Sequence, residues 1–340
     1  MMDRLPAVTA SQVLQSGGFQ RKGISTNLSG LDTQLCPNAP PAVRGIPRGQ
    51  VTEVYGPPGV GKTAFALQVA STALHAGEQV VWIDTGSPLP GPRLRSAITT
   101  TDLSCSANPS VPNSAKQTPD IDLSRLTYFD IPTLSHLLVL FLHSTENFPP
   151  PATSLIIVDT VSGPISTSFP KPPNQDANHL NPGHRKAVQV AMARKAIVAG
   201  DLGAGMANMA GLKNIAVLAL SQCVTAKEGS QLCLKSAIAF DEWKAAVQNR
   251  LALWRDVSVP DTSSHDTSIS QIRVVEIIKS NRKVRVAGQD GRLFPFVIEG
   301  VSPLHRFCRQ THLAESDRQR CERSERMHRP YSRPETFRSQ

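Results

Sequence analysis

Long hydrophobic runs are missing from this sequence. No segment approaches the roughly 18 consecutive apolar residues that a helix needs to cross a bilayer. The first residues, MMDRLPAVTASQVLQSGG, also lack the apolar segment that follows the basic start of a signal peptide. We therefore expect a soluble protein that is not exported and that has no membrane partner.

Cysteine is scarce, and its spacing matches no known site. The six cysteines form no CxxC pair and no Cys/His pattern that fits zinc. A chain of this length also buries enough apolar surface to fold without disulfides. We expect reduced thiols in an intracellular protein.

Acidic residues are outnumbered by basic ones. The chain has 36 Lys and Arg against 27 Asp and Glu, which gives a net charge of +9. The segment from Arg306 to Gln340 has nine Arg and five acidic residues, so it carries +4 of this excess. A basic balance favours a polyanionic partner such as nucleic acid. For the last segment, a solvated tail without a partner is the alternative.

Short apolar runs alternate with helical patterns along most of the chain. This alternation indicates βαβ units, and the continuous apolar runs are typical of strands buried on both faces of a parallel sheet. We predict an α/β fold, with a mostly parallel sheet flanked by helices and additional antiparallel strands toward the C-terminus. The predicted strands are 51–55, 79–84, 125–130, 155–159, 214–220, 249–256, 271–279 and 294–299, and the predicted helices are 63–75, 134–144 and 184–201.

Irregular segments divide the chain into one core and two tails. Residues 1–22 are polar and predict a flexible arm, and the Arg-rich residues 305–340 predict a disordered tail. The core spans 23–304 and contains a surface insertion at 101–122. Within the core, the five prolines of 161–183 argue against helix or central strand, and residues 221–238 predict a polar loop.

The segment GPPGVGKT at 56–63 matches the pattern G-x-x-x-x-G-K-[ST], between a predicted strand and a predicted helix. Its glycines allow the backbone N–H groups to wrap around phosphates at the positive end of the helix. The lysine supplies a charge for the β and γ phosphates, and the threonine hydroxyl can ligate magnesium. A Gly-Pro turn that binds nothing is the alternative. The predicted nucleotide contacts here are Gly56, Pro57, Pro58, Gly59, Val60, Gly61, Lys62 and Thr63.

Asp159 ends the buried run LIIVD, at the edge of the sheet where open α/β proteins place their ligands. An acid in this position is the natural partner of the phosphate-loop magnesium, together with Thr63. A strand-end cap is the alternative for an isolated Asp of this kind.

These motifs, in their order, resemble the RecA-like recombinase family, specifically the eukaryotic strand-exchange recombinases and their paralogues. The resemblance spans about residues 23–304 and implies a RecA-like P-loop ATPase core, ATP and Mg²⁺ as ligands, a nuclear location, and a role in homologous recombination and DNA repair. Its parts are ISTNLSGLDTQL at 24–35, GIPRGQVTEVYGPPGVGKT at 45–63, VVWIDT at 80–85, LIIVDT at 155–160, the Ser221-Gln222 pair after NIAVLAL, and IIKSNRK at 277–283.

The resemblance also assigns three single residues. Active members have a glutamate that positions the attacking water where this chain has Gly86, which implies weak hydrolysis. Arg93 stands where the family has an arginine near the adenine base, although a solvated helix arginine is the alternative. Gln222 matches the glutamine that senses the γ-phosphate, and an ordinary polar strand end is its alternative.

The sequence has few residues suited to binding DNA in the expected segments. The segments in the positions of the family's DNA-binding loops, 161–183 and 223–238, contain three lysines and a single aromatic residue, Phe169. Single-stranded DNA normally requires a basic track and stacking surfaces. The Phe-x-x-Ala element that the family uses for filament formation is absent, because Phe19 is followed by Gln-Arg-Lys.

The resulting hypothesis is an ATP-binding recombinase paralogue that assists the main recombinase within a heteromeric complex. Its partners would be other recombinase-family subunits and single-stranded DNA or a recombinase filament. The first alternative is a DNA-dependent ATPase with its own strand-exchange activity, against which Gly86 and the poor loops argue. A small-molecule P-loop kinase is the second, but the sparse charge of 161–183 does not fit an Arg-rich lid.

Overall fold

A computed structural model describes residues 22–86, 122–170, 182–228, 231–255, 272–285, 292–302 and 305–310. Within these ranges the strands are β1 (Gly23–Ile24), β2 (Ile46–Pro47), β3 (Gln50–Gly56), β4 (Gln79–Asp84), β5 (Leu126–Asp130), β6 (Thr153–Asp159), β7 (Ala216–Glu228), β8 (Gln231–Ser236), β9 (Asn249–Arg255), β10 (Ile272–Ser280), β11 (Lys283–Val284), β12 (Leu293–Ser302) and β13 (His305–Gln310). The α-helices are α1 (Ser29–Leu35), α2 (Lys62–His75), α3 (Leu134–Leu142), α4 (Ser162–Ser168), α5 (Pro182–Lys213) and α6 (Asp241–Ala246).

One large sheet organises the described residues. Its order is β13-β12-β10-β9-β3-β7-β6-β4-β5, with β11 added to β10 and β8 added to β7. The strands from β9 to β5 along this order pair in parallel, whereas β10, β12 and β13 continue the sheet in antiparallel fashion. This arrangement confirms the predicted α/β fold with a mostly parallel sheet and antiparallel strands toward the C-terminus.

The central strands are buried on both faces because helices cover the sheet on each side. Helices α1 and α2 pack on one face, where Phe65 and Trp82 are fully buried. Helices α3 to α6 pack on the other face, where Trp243 is fully buried. Residues of β3, β4, β6 and β7 alternate between the two cores. Strands β4, β6 and the first part of β7 therefore read as largely apolar runs in the sequence, whereas β3 also buries Thr52 and Glu53.

Helix α5 runs past the sheet. At about 1.5 Å per residue its 32 residues extend for about 48 Å, whereas the seven residues of β6 cover about 23 Å. The C-terminal end of α5 adjoins Gly49 at the amino edge of the sheet. The first half of the helix therefore projects beyond the carboxyl edge, and nearly every described side chain from Arg185 to Arg194 is exposed.

Three details of the sequence prediction were wrong. Residues 162–168 are helical, because Pro164 falls in the first turn, where a missing N–H costs no hydrogen bond. The segment 221–238 is mostly a hairpin, since β7 continues to Glu228 and pairs with β8. Helix α5 continues for a further twelve residues to Lys213 instead of ending near Asp201.

The continuation of α5 has a steric reason. Glycines lower helix propensity, but a Cβ at Gly203 would lie 2.9 Å from Ala246 Cβ, and one at Gly205 would lie 2.8 Å from Leu142 Cδ2. These glycines therefore allow α6 and α3 to approach the helix closely. Tertiary packing overrides the local preference.

Several predicted segments lie wholly or largely outside the described residues. These are the arm at 1–22 except for its last residue, the insertion at 101–122 except for Asp122, and residues 311–340. The first residues of the predicted tail, His305–Gln310, form β13 at one edge of the sheet. Among the described residues, no helix combines the length and the apolar character required to cross a membrane.

Candidate functional site

The phosphate-loop segment connects β3 to α2. Strand β3 ends at Gly56, and α2 begins at Lys62. Gly59 and Gly61 have φ angles of +71° and +107°, which side chains rarely allow. A Cβ at Gly56 would lie 2.3 Å from the Leu253 carbonyl oxygen, so the loop also depends on glycine at its start.

The rest of the loop divides into a buried and an exposed part. Val60 is fully buried in the core beneath the loop, whereas Pro58 and Gly59 are exposed and Pro57 is half-buried. No side chain caps the N-terminus of α2, where Gly61 occupies the cap position. The first N–H groups of the helix, at the positive end of its dipole, are therefore available to an anion.

Lys62 lies inside the loop. Its ammonium group donates hydrogen bonds to the carbonyl oxygens of Gly56 (2.8 Å) and Pro57 (3.0 Å). Burial lowers the pKa of this lysine, and the nearby Asp159 and Cys223 partly oppose that effect. The charge is thus held at the centre of the phosphate-loop segment.

Thr63 and Asp159 meet across the site. The Thr63 hydroxyl donates to Asp159 Oδ2 at 2.8 Å, although 96 residues separate the two in the sequence. Burial raises the pKa of Asp159 to about 6, and the neighbouring Asp84 adds to the rise, whereas Thr63 and Lys62 lower it. A cation at this position would favour the ionised carboxylate.

This donor set fits magnesium bound together with a nucleotide. A hydroxyl and a carboxylate are hard oxygen ligands of the kind that Mg²⁺ prefers. Among the described residues, no group of three or more His, Cys, Asp or Glu could hold a metal ion. A magnesium ion here would therefore take most of its ligands from phosphates and water, as is usual in phosphate-transfer sites.

Gly86 follows β4 at the same edge of the sheet. It is exposed, and a Cβ built on it meets no atom within 4 Å in the part of the chain that the structure describes. The nearest acid, Asp84, is 2% exposed and accepts hydrogen bonds from the Gly86 N–H (3.0 Å) and the Tyr128 hydroxyl (3.1 Å). Asp84 is thus engaged in the structure, and the space at position 86 is open.

Gln222 lies beside the phosphate loop through the pairing of β3 with β7, which sets it opposite Gly56. Its side chain is exposed. Its N–H donates to Ser162 Oγ (2.9 Å), and its carbonyl accepts from the Ala237 N–H (2.8 Å). Arg93 lies outside the described residues, so its predicted contact with the base stays a prediction.

One cation next to the loop was not predicted from the sequence. Arg255, the last residue of β9, donates from Nη2 to the Gly59 carbonyl at 2.7 Å. Strand β9 reaches this position because it pairs with β3 in parallel, 195 residues or more away in the sequence. No local pattern could have indicated that pairing.

The sequence reasoning also overlooked the basic character of the projecting half of α5. No acidic residue occurs from 182 to 200, and this stretch carries four Lys and Arg side chains. This half of the helix projects beyond the carboxyl edge of the sheet, the edge that also carries the phosphate-loop segment and the β7–β8 hairpin. The signal, HRKAVQVAMARK, was visible in the sequence, but only the structure shows that it projects. The four cations are Arg185, Lys186, Arg194 and Lys195.

Comparisons with known proteins show similarity to one protein family and to several individual proteins. Residues 24–100 match the protein-family profile described as ATPase: KaiC. The chain is 29% identical over 176 residues to the DNA repair protein rhp55 of Schizosaccharomyces pombe. The aligned region covers 51% of this chain and 45% of that protein.

Shorter matches are to bacterial Protein RecA. Identity is 43% over 61 residues with the protein of Streptomyces venezuelae, and 42% over 66 residues with that of Laribacter hongkongensis. These matches cover 18% and 19% of this chain, and 15% and 17% of the relatives. The chain thus spans less than half the length of these three relatives.

Proposed function

We propose that this chain, whose core is that of a RecA-like ATPase, binds ATP with Mg²⁺ at the segment 56–63. The observation that supports this most directly is the arrangement of Lys62 within the glycine loop and of Thr63 with Asp159 at 2.8 Å. The backbone N–H groups and Lys62 would hold the phosphates. Thr63 would ligate the metal, and Asp159 would orient it through its bound water. The ion would neutralise phosphate charge.

Hydrolysis of the bound nucleotide should be slow. Phosphoryl transfer depends on positioning and electrostatics, and an attacking water needs a group that orients it. Gly86 offers no side chain, and the carboxylate of Asp84 is engaged by Tyr128 and by the backbone. The protein would then act mainly by binding its partners under the control of bound nucleotide, and only weakly as a catalyst.

We propose a role in homologous recombination and DNA repair, as a mediator that assists the main recombinase in a heteromeric complex. The similarity to rhp55, a DNA repair protein, supports a role in DNA repair, and the lack of a water-positioning side chain at Gly86 supports the mediator role. Other recombinase-family subunits would be its partners, and the nucleus its location.

Single-stranded DNA or a recombinase filament would lie along the carboxyl edge of the sheet, beside the projecting half of α5. Lys186 and Arg194 are exposed on α5, and Lys235 lies on the hairpin at the same edge. Lys and Arg side chains that neutralise phosphates release counterions, which gives affinity without sequence preference. The cations of α5 would add to the few cations in the loop segments, of which Lys235 is one.

Calorimetric titration with Mg-ATP tests nucleotide binding. We expect Lys62→Ala to weaken binding by about 10- to 100-fold, since a charged hydrogen bond contributes about 1.5–3 kcal/mol. Lys213→Ala is the matched control, because Lys213 is an exposed lysine at the opposite edge of the sheet. Equal affinity in all three proteins would rule out the nucleotide site.

Reconstitution tests the mediator role. The chain and the main recombinase of the same organism would be mixed on single-stranded DNA with Mg-ATP, and filament assembly followed by fluorescence. We expect the chain to promote assembly without exchanging strands on its own. Strand exchange by the chain alone would instead indicate an active recombinase.

A further inference from the structure

A buried polar cluster lies beneath the base of the β7–β8 hairpin, apart from the phosphate loop. Its centre is Glu53, a fully buried carboxylate on the central strand β3. One oxygen accepts a hydrogen bond from the Ser236 hydroxyl at 2.5 Å, and the other accepts from Arg250 Nε at 2.7 Å. Both partners are distant in sequence, and one of them ends the hairpin.

The carboxylate of Glu53 has a charged partner within the cluster. The Arg250 side chain is 11% exposed and pairs with the fully buried Glu53. Its guanidinium also lies 5.3 Å from the centre of the Tyr55 ring, two residues farther along β3. A buried carboxylate without such partners would be unfavourable, so Glu53 has a fixed position from which it can hold a second group.

That second group is the end of the hairpin. Ser236 is 1% exposed. Its hydroxyl donates a hydrogen bond to Glu53, and the same oxygen accepts one from the Ile238 N–H at 3.1 Å. The next residue, Ala237, donates its N–H to the Gln222 carbonyl at 2.8 Å. The Ser236–Glu53 bond is therefore one residue away from the Ala237–Gln222 bond, which joins the two strands at the base of the hairpin.

We propose that Ser236 and Glu53 form a latch that ties the hairpin to the strand leading into the phosphate loop and preserves the bond from Ala237 to the Gln222 carbonyl. The latch residues are positioning residues, because they act on Gln222 through Ala237. A carboxylate–hydroxyl bond is directional and strong when buried, so it fixes the hairpin in one position, which apolar contact alone would not do. The link to nucleotide rests on the proposed function, whereas the latch itself does not.

Hydrogen exchange of the complete, nucleotide-free protein tests the latch. We expect Ser236→Ala to speed exchange of the β8 amides by about tenfold, the effect of losing one hydrogen bond to a charged group. Ser236→Thr keeps a hydroxyl and should restore slow exchange. Ser154→Ala is the control, because Ser154 is an equally buried serine that bonds to the Gln79 carbonyl at 3.1 Å at the other edge of the sheet.

Unchanged β8 exchange in Ser236→Ala would overturn the proposal. Acceleration spread evenly over β3 and β6 would overturn it as well, because that pattern indicates general loss of stability.

A second measurement adds a non-hydrolysable ATP analogue with Mg²⁺. We expect the analogue to slow exchange in the hairpin of the wild type and of Ser236→Thr, and to have no such effect in Ser236→Ala although calorimetry still detects binding. Equal protection in the Ala variant would refute the link to Gln222. If no protein binds the analogue, the proposed nucleotide function fails, while the exchange of the nucleotide-free protein still decides the latch.

Discussion

The open position at Gly86 allows a sharp test of why hydrolysis should be slow. Residue 86 lies two residues beyond Asp84, which is in register with Asp159 where β4 pairs with β6. A glutamate there would lie at the same edge of the sheet as the proposed magnesium ligands. Among the described residues, no atom lies within 4 Å of the Cβ position, so a side chain can begin there without displacing them.

The expected gain follows from the contribution of a positioned base. A base that orients water and accepts its proton typically contributes about 10²- to 10⁴-fold. The lower figure corresponds to about 2.7 kcal/mol of activation free energy. We expect the wild-type chain to hydrolyse ATP barely above background, with or without single-stranded DNA, and Gly86→Glu to be at least about a hundredfold faster.

Single-turnover hydrolysis with excess protein is the assay, because it separates chemistry from product release. Gly86→Gln is the matched control, since it fills the same space without a carboxylate. A fast wild-type chain would refute the reasoning, and so would equal rates for the Glu and Gln variants. A reconstituted complex that is fast while the chain alone is slow would indicate a carboxylate supplied by a partner subunit.

Three further predictions follow from other parts of the chain. Removing residues 311–340, which leaves β13 intact, removes seven Arg and should lower both the affinity for single-stranded DNA and its salt dependence in fluorescence titrations; unchanged values would exclude the tail as a contact. Burial raises the pKa of Asp32 to about 6 from 3.8, so the folded state binds the proton more tightly. Asp32 should therefore contribute up to about 3 kcal/mol to a fall in the free energy of unfolding as the pH rises from about 4 to about 6. Urea titrations of Asp32→Asn should lose this share of the slope, while the share of Asp159, whose pKa is also raised to about 6, remains. Gly61→Ala places a side chain at φ +107° and should cost about 1–2 kcal/mol of stability by the same urea assay and weaken Mg-ATP binding, with wild-type values contradicting the strain argument.

The sequence was most informative where one segment carries its own signal. Strands β4 and β6 were predictable because burial on both faces leaves a largely apolar run, and the phosphate-loop segment was predictable because glycine, lysine and threonine have fixed roles at fixed spacing. Thr63 and Asp159 were both predicted to be metal ligands; the structure places them in contact, and their metal role stays a prediction.

What the sequence could not supply depends on strand order. The contacts of Arg255 with Gly59 and of Ser236 with Glu53 join positions more than 180 residues apart, and they exist only because β9 and β7 flank β3. Helix α5 was underestimated for a related reason: its glycines are explained by the helices that pack against them, not by the helix itself.

The position of Lys62 has a consequence for any experiment that replaces it. Its ammonium group donates to two carbonyl oxygens of its own loop, so it also holds the backbone between β3 and α2. Replacing the lysine would remove the proposed phosphate contact together with these two bonds. The phenotype of such a variant would therefore combine a change in the loop backbone with any loss of nucleotide binding.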